Sequence, residues 1–524
     1  MSITPYSGTW GQTQRVHLLR RTLFGASKAD IAAFATMSMT DMVTSLLTFS
    51  TTPTTTPMVD YVQTTQLTVP LDALNTTWVN SASDGNYNFQ RTQSLRGWWM
   101  GLMLQQERNI REKMTFFWHN HVPTDIGSSF GEAHYAYRYN VLLRQSCLGN
   151  FKTFIRQVST QPAMLYYLSG ISNSKTAPNE NYGRELQELF CIGKDLIPSY
   201  TEADVQAAAQ VLTGWQVDSA TLSSKFTISR HTTTNKTFSS FYSNTIITGS
   251  SDAVTAGATE LDALLNMIFA HPEVARYVVR KIYRFFVYYK IDATVEADVI
   301  VPLADLFRTG GYEILPVMQA LFTSQHFYDM ASANSCMIKS PIDHNIGLAR
   351  VFGVVLPAVS DIVNLYKDFR YFSDESDKQG QKPGNTPNVA GWPAYYQTPS
   401  FHELWISADS LRKRKEYCDK LLASNYNNMK VDVLAFTMTL TTPSDPNLLI
   451  DEALSLLHPL PSDAALKTSL KAILLSNQIT DSYWTLAWNN YVGTPTNTTY
   501  ATTVRTRLQT LYQAITNMAE FHLS

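Results

Sequence analysis

The sequence predicts an all-α fold, one large multi-helical domain with a small β-containing or irregular insertion. Apolar residues recur at i, i+3 and i+4 spacing along most of the 524-residue chain, as in amphipathic helices. Residues that typically begin and end helices flank these periodic segments. Two stretches, 216–251 and 373–400, lack the helical period. The pattern therefore indicates a helical core that is interrupted at these two places.

The segment His271–Lys290 (HPEVARYVVRKIYRFFVYYK) shows the helical period most clearly. Three arginines at i, i+4 steps, Arg276, Arg280 and Arg284, form one stripe along it. This stripe either pairs with acidic neighbours, which is the commoner arrangement, or binds an anion. The apolar side chains predict a second, buried stripe, formed by Val274, Tyr277, Val278, Ile282, Phe285, Phe286 and Tyr289.

Capping residues support further helices. Thr201 and Asp204 have the spacing of a capping box at the start of TEADVQAAAQVLTGW, and Gly214 ends that helix. Gly25 ends a helix after VHLLRRTLF, because glycine adopts the left-handed conformation at little cost. The same periodicity predicts helices at Gln90–Glu107, Ile110–Asn120, Glu132–Gln145, Asn181–Ile192, Val295–Thr309, Ser340–Phe352, Ser462–Leu475 and Tyr500–His522.

The two non-periodic stretches have different compositions. Residues 216–251 alternate β-branched, aromatic and hydroxyl side chains, which predicts a loop with a short hairpin. Residues 373–400 are rich in Gly, Pro, Gln and Asn and predict a long loop, of a kind that is often functional. Helical patterning on both sides of each stretch favours one large helical domain over residues 1–524, built as one unit or as two intimately packed lobes.

The amino-acid composition indicates which binding partners and which cellular compartment to expect. Charged residues make up 16% of the chain, against about 25% in an average soluble domain, and uncharged polar residues replace them. Such a composition is typical of exported bacterial proteins and suggests a periplasmic location, although no signal peptide is visible. The formal net charge of −2 argues against nucleic acid as a partner. No stretch reaches the ~18 uninterrupted apolar residues of a membrane span.

Four blocks of sequence stand out together: RRTLFG at 20–25, REKMTFFWHNH at 111–121, NENYGRELQEL at 179–189 and YTEADVQAAAQVLTGW at 200–215. In this combination the chain resembles the bacterial family known only as domain of unknown function 1800. The resemblance implies a helical bacterial protein that is often found beside a sulfatase-like partner family. It implies no particular reaction.

At two positions the chain departs from the pattern of the family it resembles. Members of the family tend to carry His directly after the ELxEL run, where this chain has Phe190. They also tend to have the pair His-Asp where this chain has His231 followed by Thr232. A site that used those two groups would be altered in this chain.

The motif His119-Asn120-His121 ends a predicted helix directly before Val122 and Pro123. Two imidazoles in this arrangement chelate one divalent transition metal where the backbone lets them converge. Within a regular helix they would point about 200° apart, but Pro123 disfavours a helical Val122 and permits the helix to end at His121. The alternative is structural: His119 caps C-terminal carbonyl groups and His121 satisfies a buried hydrogen bond.

The helix of NENYGRELQELF offers carboxylates for the same site. Glu185 and Glu188 lie on one face beside the apolar seam, where a half-buried carboxylate needs a metal, a histidine or an arginine as its partner. In a catalytic role they would act as a ligand or a general base. The alternative is ion pairing along the helix, since Glu180, Arg184 and Glu188 follow i, i+4 steps.

Two further groups of residues have open interpretations. His231 lies in the irregular segment and is the third candidate metal ligand, because a His/His/Glu set leaves a position for water. It can equally be an exposed loop histidine. Arg20 and Arg21 either bind a carboxylate or phosphate bidentately or complement the C-terminal dipole of their own helix.

Several familiar catalytic motifs do not occur in the chain. It has no HExxH, Walker A, GxGxxG or CxxC pattern, and its four widely spaced cysteines are expected to be buried thiols. Two hypotheses follow. The protein is a metal-dependent enzyme for hydrolysis or oxidation of an unknown substrate, with His119, His121 and His231 as ligands and Glu185 or Glu188 as ligand or base. Alternatively, it is a non-catalytic scaffold or partner of an exported sulfatase-like protein.

Overall fold

The protein is mostly helical over the residues that the structure describes, with two small two-stranded sheets. The prediction of an all-α fold with a small β-containing insertion is therefore confirmed. None of the helices described is both long and apolar enough to cross a membrane. The computed structural model describes residues 3–61, 72–127, 131–194, 198–332, 337–396, 401–423, 429 and 431–524.

The helices before the insertion include α5 (Arg111–His121). Every residue of α5 is buried, and it contacts α4 and α6. The π-helical turn Leu186–Cys191 continues α9. The other helices are α1 (Gln12–Thr22), α2 (Lys28–Ala33), α3 (Met39–Leu47), α4 (Asn88–Leu104), α6 (Ala133–Gln145), α7 (Phe151–Thr160), α8 (Pro162–Tyr167), α9 (Asn181–Glu185) and α10 (Glu202–Val211).

The predicted insertion follows α10 and carries all the strands that the structure describes. Strands β1 (Trp215–Asp218) and β2 (Ser223–Phe226) pair antiparallel, with Trp215 opposite Phe226. Strands β3 (Lys236–Thr237) and β4 (Ile246–Ile247) form a second antiparallel pair. At the start of α10 the Thr201 side chain accepts from the Asp204 N–H, so the predicted capping box is present.

The helices after the insertion include α12 (Glu273–Phe286), the clearest helix in the sequence. Five of its predicted stripe residues are buried, whereas Tyr277 and Tyr289 are half-buried. The helix ends at Phe286 rather than Lys290. The neighbouring helices are α11 (Ala256–Ala270), α13 (Ala293–Val295), α14 (Val301–Thr309), α15 (Ile314–Phe322), α16 (Gln325–Ser332), α17 (Pro341–Val351), α18 (Ile362–Lys378) and α19 (Pro393–Tyr396).

The last helices pack around α25 (Thr498–Thr516), which contacts each of the others in this group. Its buried residues, such as Leu508 and Tyr512, lie at helical spacing on one face. The helices in contact with it are α20 (Ala408–Leu422), α21 (Val433–Met438), α22 (Pro446–Leu457), α23 (Ala464–Leu474) and α24 (Ser482–Gly493).

The Gly- and Pro-rich segment covers the C-terminal end of α5. The Ile126 N–H donates to the Gly384 carbonyl oxygen at 2.7 Å, and the Trp392 N–H donates to Asn120 Oδ1 at 2.8 Å. At its start, residues 373–378 are helical and belong to α18, and residues 397–400 lie outside the described residues. The segment therefore closes the region in which the predicted histidine pair lies.

Candidate functional site

His119 is enclosed by aromatic side chains. The residue is 2% exposed, and its ring lies edge-on to Trp99 and Trp392, with centroids 5.1 and 5.7 Å away. Its Nε2 atom is buried and has no hydrogen-bond partner among the described residues. Burial lowers the pKa of His119 to about 3, although the Asp125 carboxylate opposes the shift. The imidazole is therefore neutral at physiological pH.

His121 contacts the π-helical turn instead. Its Nε2 atom donates to the Phe190 carbonyl oxygen at 3.0 Å, so Nε2 carries the proton of the neutral ring. The Nδ1 atom is buried and lacks a hydrogen-bond partner in the part of the chain that is described. Burial and the Lys281 ammonium hold the pKa of His121 well below its usual value. This is the buried hydrogen bond that the structural alternative predicts.

The two imidazoles of the motif have different surroundings. Helix α5 includes His121 as its last residue, and Val122 is the first residue outside it. Because each residue turns a helix by about 100°, residues two apart point to different sides. His119 lies against Trp392, whereas His121 lies against Phe190. The two imidazoles therefore have different aromatic neighbours, and a metal site shared by them stays a prediction.

His231 lies in a buried ion-pair network that joins the insertion to α11. Its Nδ1 atom is 2.8 Å from the Thr213 carbonyl oxygen, and its Nε2 atom is 3.1 Å from Glu260 Oε1. Lys236 Nζ donates to Glu260 Oε2 at 2.5 Å. Burial would raise the pKa of Glu260, but hydrogen bonds from His231 and Lys236 leave it below its usual value.

Glu260 is a buried charged residue that the sequence did not single out. The chain has Thr232 where the related pattern has an acidic residue, and the Glu260 carboxylate supplies the partner of His231 from another helix. Nothing in a local pattern connects two residues this far apart in the chain. His231 is 1% exposed, so the alternative of an exposed loop histidine is wrong.

The carboxylates Glu185 and Glu188 lie at the junction of α9 with the π-helical turn. Part of the predicted ion pairing exists: Arg184 pairs with Glu180 at 3.0 Å, but its second partner is Glu202. Glu188 instead lies 3.4 Å from Lys194 Nζ. No described residue forms a hydrogen bond or ion pair with the Glu185 carboxylate, and the residue is half-buried.

The surroundings of Glu185 favour its protonated form. Burial raises its pKa, the neighbouring Glu188 raises it further, and Arg184 and Lys194 only partly oppose this. Two tyrosines lie beside the pair. Burial and nearby carboxylates raise the pKa of Tyr167, with Asp125 and Glu185 as the contributing charges. Burial and Glu188 likewise raise the pKa of Tyr200.

The structure thus brings the two carboxylates together but gives each histidine its own surroundings. Over the described residues, no group of three or more His, Cys, Asp or Glu side chains is arranged to hold a metal ion. The predicted divalent metal therefore stays a prediction. Three of the four cysteines are described, and all are free and buried: Cys147, Cys191 and Cys418.

Fold and site together define a multi-helical protein with separately packed histidines and a carboxylate pair on a π-helical turn. The chain belongs to the family described as protein of unknown function (DUF1800), whose model matches residues 17–523. This match confirms the resemblance seen in the four sequence blocks. No curated protein matches the chain, and no solved structure matches it.

Proposed function

We propose that the protein is a hydrolytic enzyme in which Glu185 donates a proton and Glu188 accepts one. The observation that carries the proposal is the raised pKa of Glu185, caused by burial and by the neighbouring Glu188. Carboxylate pairs whose surroundings push their pKa values apart are a recurrent basis of acid–base catalysis. The π-helical turn after Glu185 supports the proposal, because such turns are frequent at functional sites.

The two residues have different roles in this proposal. Glu185, whose pKa is raised, protonates the leaving group of the substrate. Glu188, whose Oε1 atom lies 3.4 Å from Lys194 Nζ, removes a proton from the attacking water. The neutral hydroxyl groups of Tyr167 and Tyr200 are suited to donating hydrogen bonds to a polar substrate beside the pair.

A substrate screen tests the proposal. The wild-type protein is assayed with chromogenic esters, glycosides and phosphate esters, alongside Glu185→Gln, Glu188→Gln and the control Glu202→Gln. Glu202 is an exposed carboxylate that pairs with Arg184, so its amide should leave the rate unchanged. We expect the wild type to hydrolyse one class and each Glu185 or Glu188 variant to lose roughly 10²–10⁴-fold in kcat.

The same assay addresses the predicted metal. Loss of hydrolysis after chelation and its recovery with one divalent transition metal would support the metal-dependent reading. Hydrolysis that survives chelation would leave the carboxylate pair as the acid–base system on its own. Equal rates in wild type and both carboxamide variants, or no hydrolysis of any class, would overturn the proposal.

The alternative of a sulfatase-like protein partner stays a prediction, and a pull-down from the native host tests it.

A further inference from the structure

A surface groove lies between α6, the junction of α7 with α8, and the turn of the β1–β2 hairpin. Its volume is about 400 Å³. Sites for small molecules in proteins measure roughly 300–1,000 Å³, so the groove is large enough for a small ligand. Two separate parts of the chain form it, because the hairpin belongs to the insertion whereas α6, α7 and α8 precede it.

Part of the groove's lining is apolar. Val141 and Leu142 come from α6, and Pro162 is the first residue of α8. Leu222 lies in the turn of the hairpin and is half-buried. A ligand that covers these side chains removes apolar surface from water, which favours binding. A ligand suited to this groove therefore has an apolar face.

Three glutamines line the same groove. Gln145 is the last residue of α6, Gln157 lies in α7, and Gln161 lies directly between α7 and α8. Their side chains form no hydrogen bond with any other group in the described part of the protein. Each carboxamide offers two N–H donors and one acceptor oxygen. The three side chains can therefore bind a ligand that both donates and accepts hydrogen bonds.

The groove carries little charge. None of the described residues that line it is acidic, and Arg138 is the one basic residue among them. Arg138 Nη1 donates to the carbonyl oxygens of Leu222 and Thr221, at 2.5 and 3.3 Å. The guanidinium group is thus held by neutral backbone groups of the hairpin turn. Because the side chains that are left to bind a ligand are neutral carboxamides, the lining favours an uncharged ligand.

The hairpin side of the groove is held in a conformation that leucine rarely adopts. Leu222 has φ of +52°, in the left-handed region. A bulky residue in this region is strained, and the strain persists only where surrounding contacts fix the backbone. The hydrogen bonds from Arg138 fix this turn. Strained residues of this kind are concentrated at sites that hold ligands.

The α6 side of the groove is fixed by aromatic packing. The ring of Tyr137, a lining residue, lies edge-on to Trp78 and Trp98, with centroids 6.2 and 5.8 Å away. Trp78 Nε1 in turn donates to Ser94 Oγ at 3.0 Å. Both sides of the groove are therefore formed before a ligand binds, which lowers the entropic cost of binding.

We propose that this groove binds an uncharged saccharide of one or two sugar rings. A pyranose ring has C–H faces that pack on apolar side chains, and its hydroxyl groups donate and accept hydrogen bonds as the three carboxamides require. Neither Glu185 nor Glu188 is among the described residues that line the groove. The saccharide site is therefore independent of the proposed hydrolysis, and its occupant is defined by binding alone.

Saturation-transfer NMR on the full chain tests the proposal. The protein is titrated separately with four uncharged disaccharides: cellobiose, maltose, lactose and diacetylchitobiose. We expect saturable binding of at least one of them. The double variant Gln145→Ala/Gln157→Ala should weaken its affinity roughly tenfold or more, because two sets of hydrogen bonds are lost. Both glutamines are exposed, so the double variant should fold like the wild type.

Two further variants separate a specific site from a general effect of the substitutions. Gln319→Ala replaces an exposed glutamine of α15, outside the groove, and should bind like the wild type. Leu222→Gly relieves the strained turn but removes its apolar side chain, so it should weaken binding without lowering the melting temperature. A purely structural role for Leu222 would leave the affinity unchanged.

Three outcomes would overturn the proposal. In the first, none of the four disaccharides binds saturably. In the second, the double glutamine variant binds as tightly as the wild type and Gln319→Ala. In the third, an uncharged peptide such as acetyl-Gly-Gln-Gly-amide binds saturably and displaces the disaccharide, which would assign the groove to a peptide.

Discussion

At the residue scale, most buried ionisable side chains in the described part of the protein are either neutral or paired. Burial raises the pKa of the Cys147 and Cys418 thiols to about 12, so neither thiol is a nucleophile at neutral pH. His119 is neutral, and Lys236 is paired with Glu260. Glu185 differs from these residues because it is half-buried and its pKa is raised. For this reason we assign it a catalytic role.

Lys281 gives the protein a pH-dependent stability. The residue is 7% exposed, and burial together with Arg284 lowers its pKa to about 7, against 10.5 for an ordinary lysine. Between these two values the unfolded chain binds more protons than the folded one, so the free energy of unfolding rises with pH. We expect Lys281→Met to remove this contribution, whose limiting slope is about 1.4 kcal/mol per pH unit.

Chemical denaturation from pH 6 to pH 10 measures the effect, with Lys290→Met as the matched control. Lys290 is exposed and follows the same helix, so its substitution should preserve the wild-type slope. If the free energy of unfolding rises equally with pH in the wild type and in Lys281→Met, the lowered pKa of Lys281 is contradicted.

At the element scale, hydrophobic period and capping residues predict helices well, and their ends less well. The period continues past Phe286, yet α12 ends there, with Val287 as its C-cap. In the predicted loop 373–400, the first glycine is Gly380, so the six residues 373–378 contain no helix breaker and extend α18. Composition averaged over a long window conceals such a boundary.

Helix α1 ends at Thr22 rather than at the predicted Gly25, and the close approach of α17 to the segment after α1 depends on Gly25. Gly25 has φ of +80°, and a Cβ atom there would lie 2.8 Å from Gly347 Cα. Gly25→Ala should lower the free energy of unfolding by about 2–4 kcal/mol, the combined cost of a left-handed alanine and a backbone clash. Chemical denaturation of the purified variant measures the loss.

Gly347→Ala is the matched control for this contact. A Cβ at Gly347 would lie 3.6 Å from Gly25 Cα, an ordinary van der Waals distance, and Gly347 lies within a helix. It should be neutral or stabilise the protein by up to about 1 kcal/mol, because alanine favours the helix. If Gly25→Ala and Gly347→Ala lose similar free energies of unfolding, the close approach of Gly25 to Gly347 is contradicted.

At the scale of the whole molecule, one hydrophobic cluster runs through the described residues from Val16 in α1 to Phe521 near the end of the chain. Its existence is predictable from the amphipathic helices, whereas its long-range polar pairs are not. Lys113 meets Asp343, and His231 meets Glu260, only because distant segments of the chain pack together. A local pattern shows which face of a helix is buried, but it does not show which other helix that face packs against. The division of the chain into one unit or two lobes therefore stays a prediction.

The central claim is that burial and the neighbouring Glu188 raise the pKa of Glu185. The most direct test is a 13C NMR titration of glutamate-labelled protein, with Glu185→Gln used to assign the signal. The account predicts that Glu185 titrates above the ordinary value of about 4.3 and that Glu188→Gln brings it closer to that value. A Glu185 signal that titrates at the ordinary value in the wild type, unchanged in Glu188→Gln, would contradict the account.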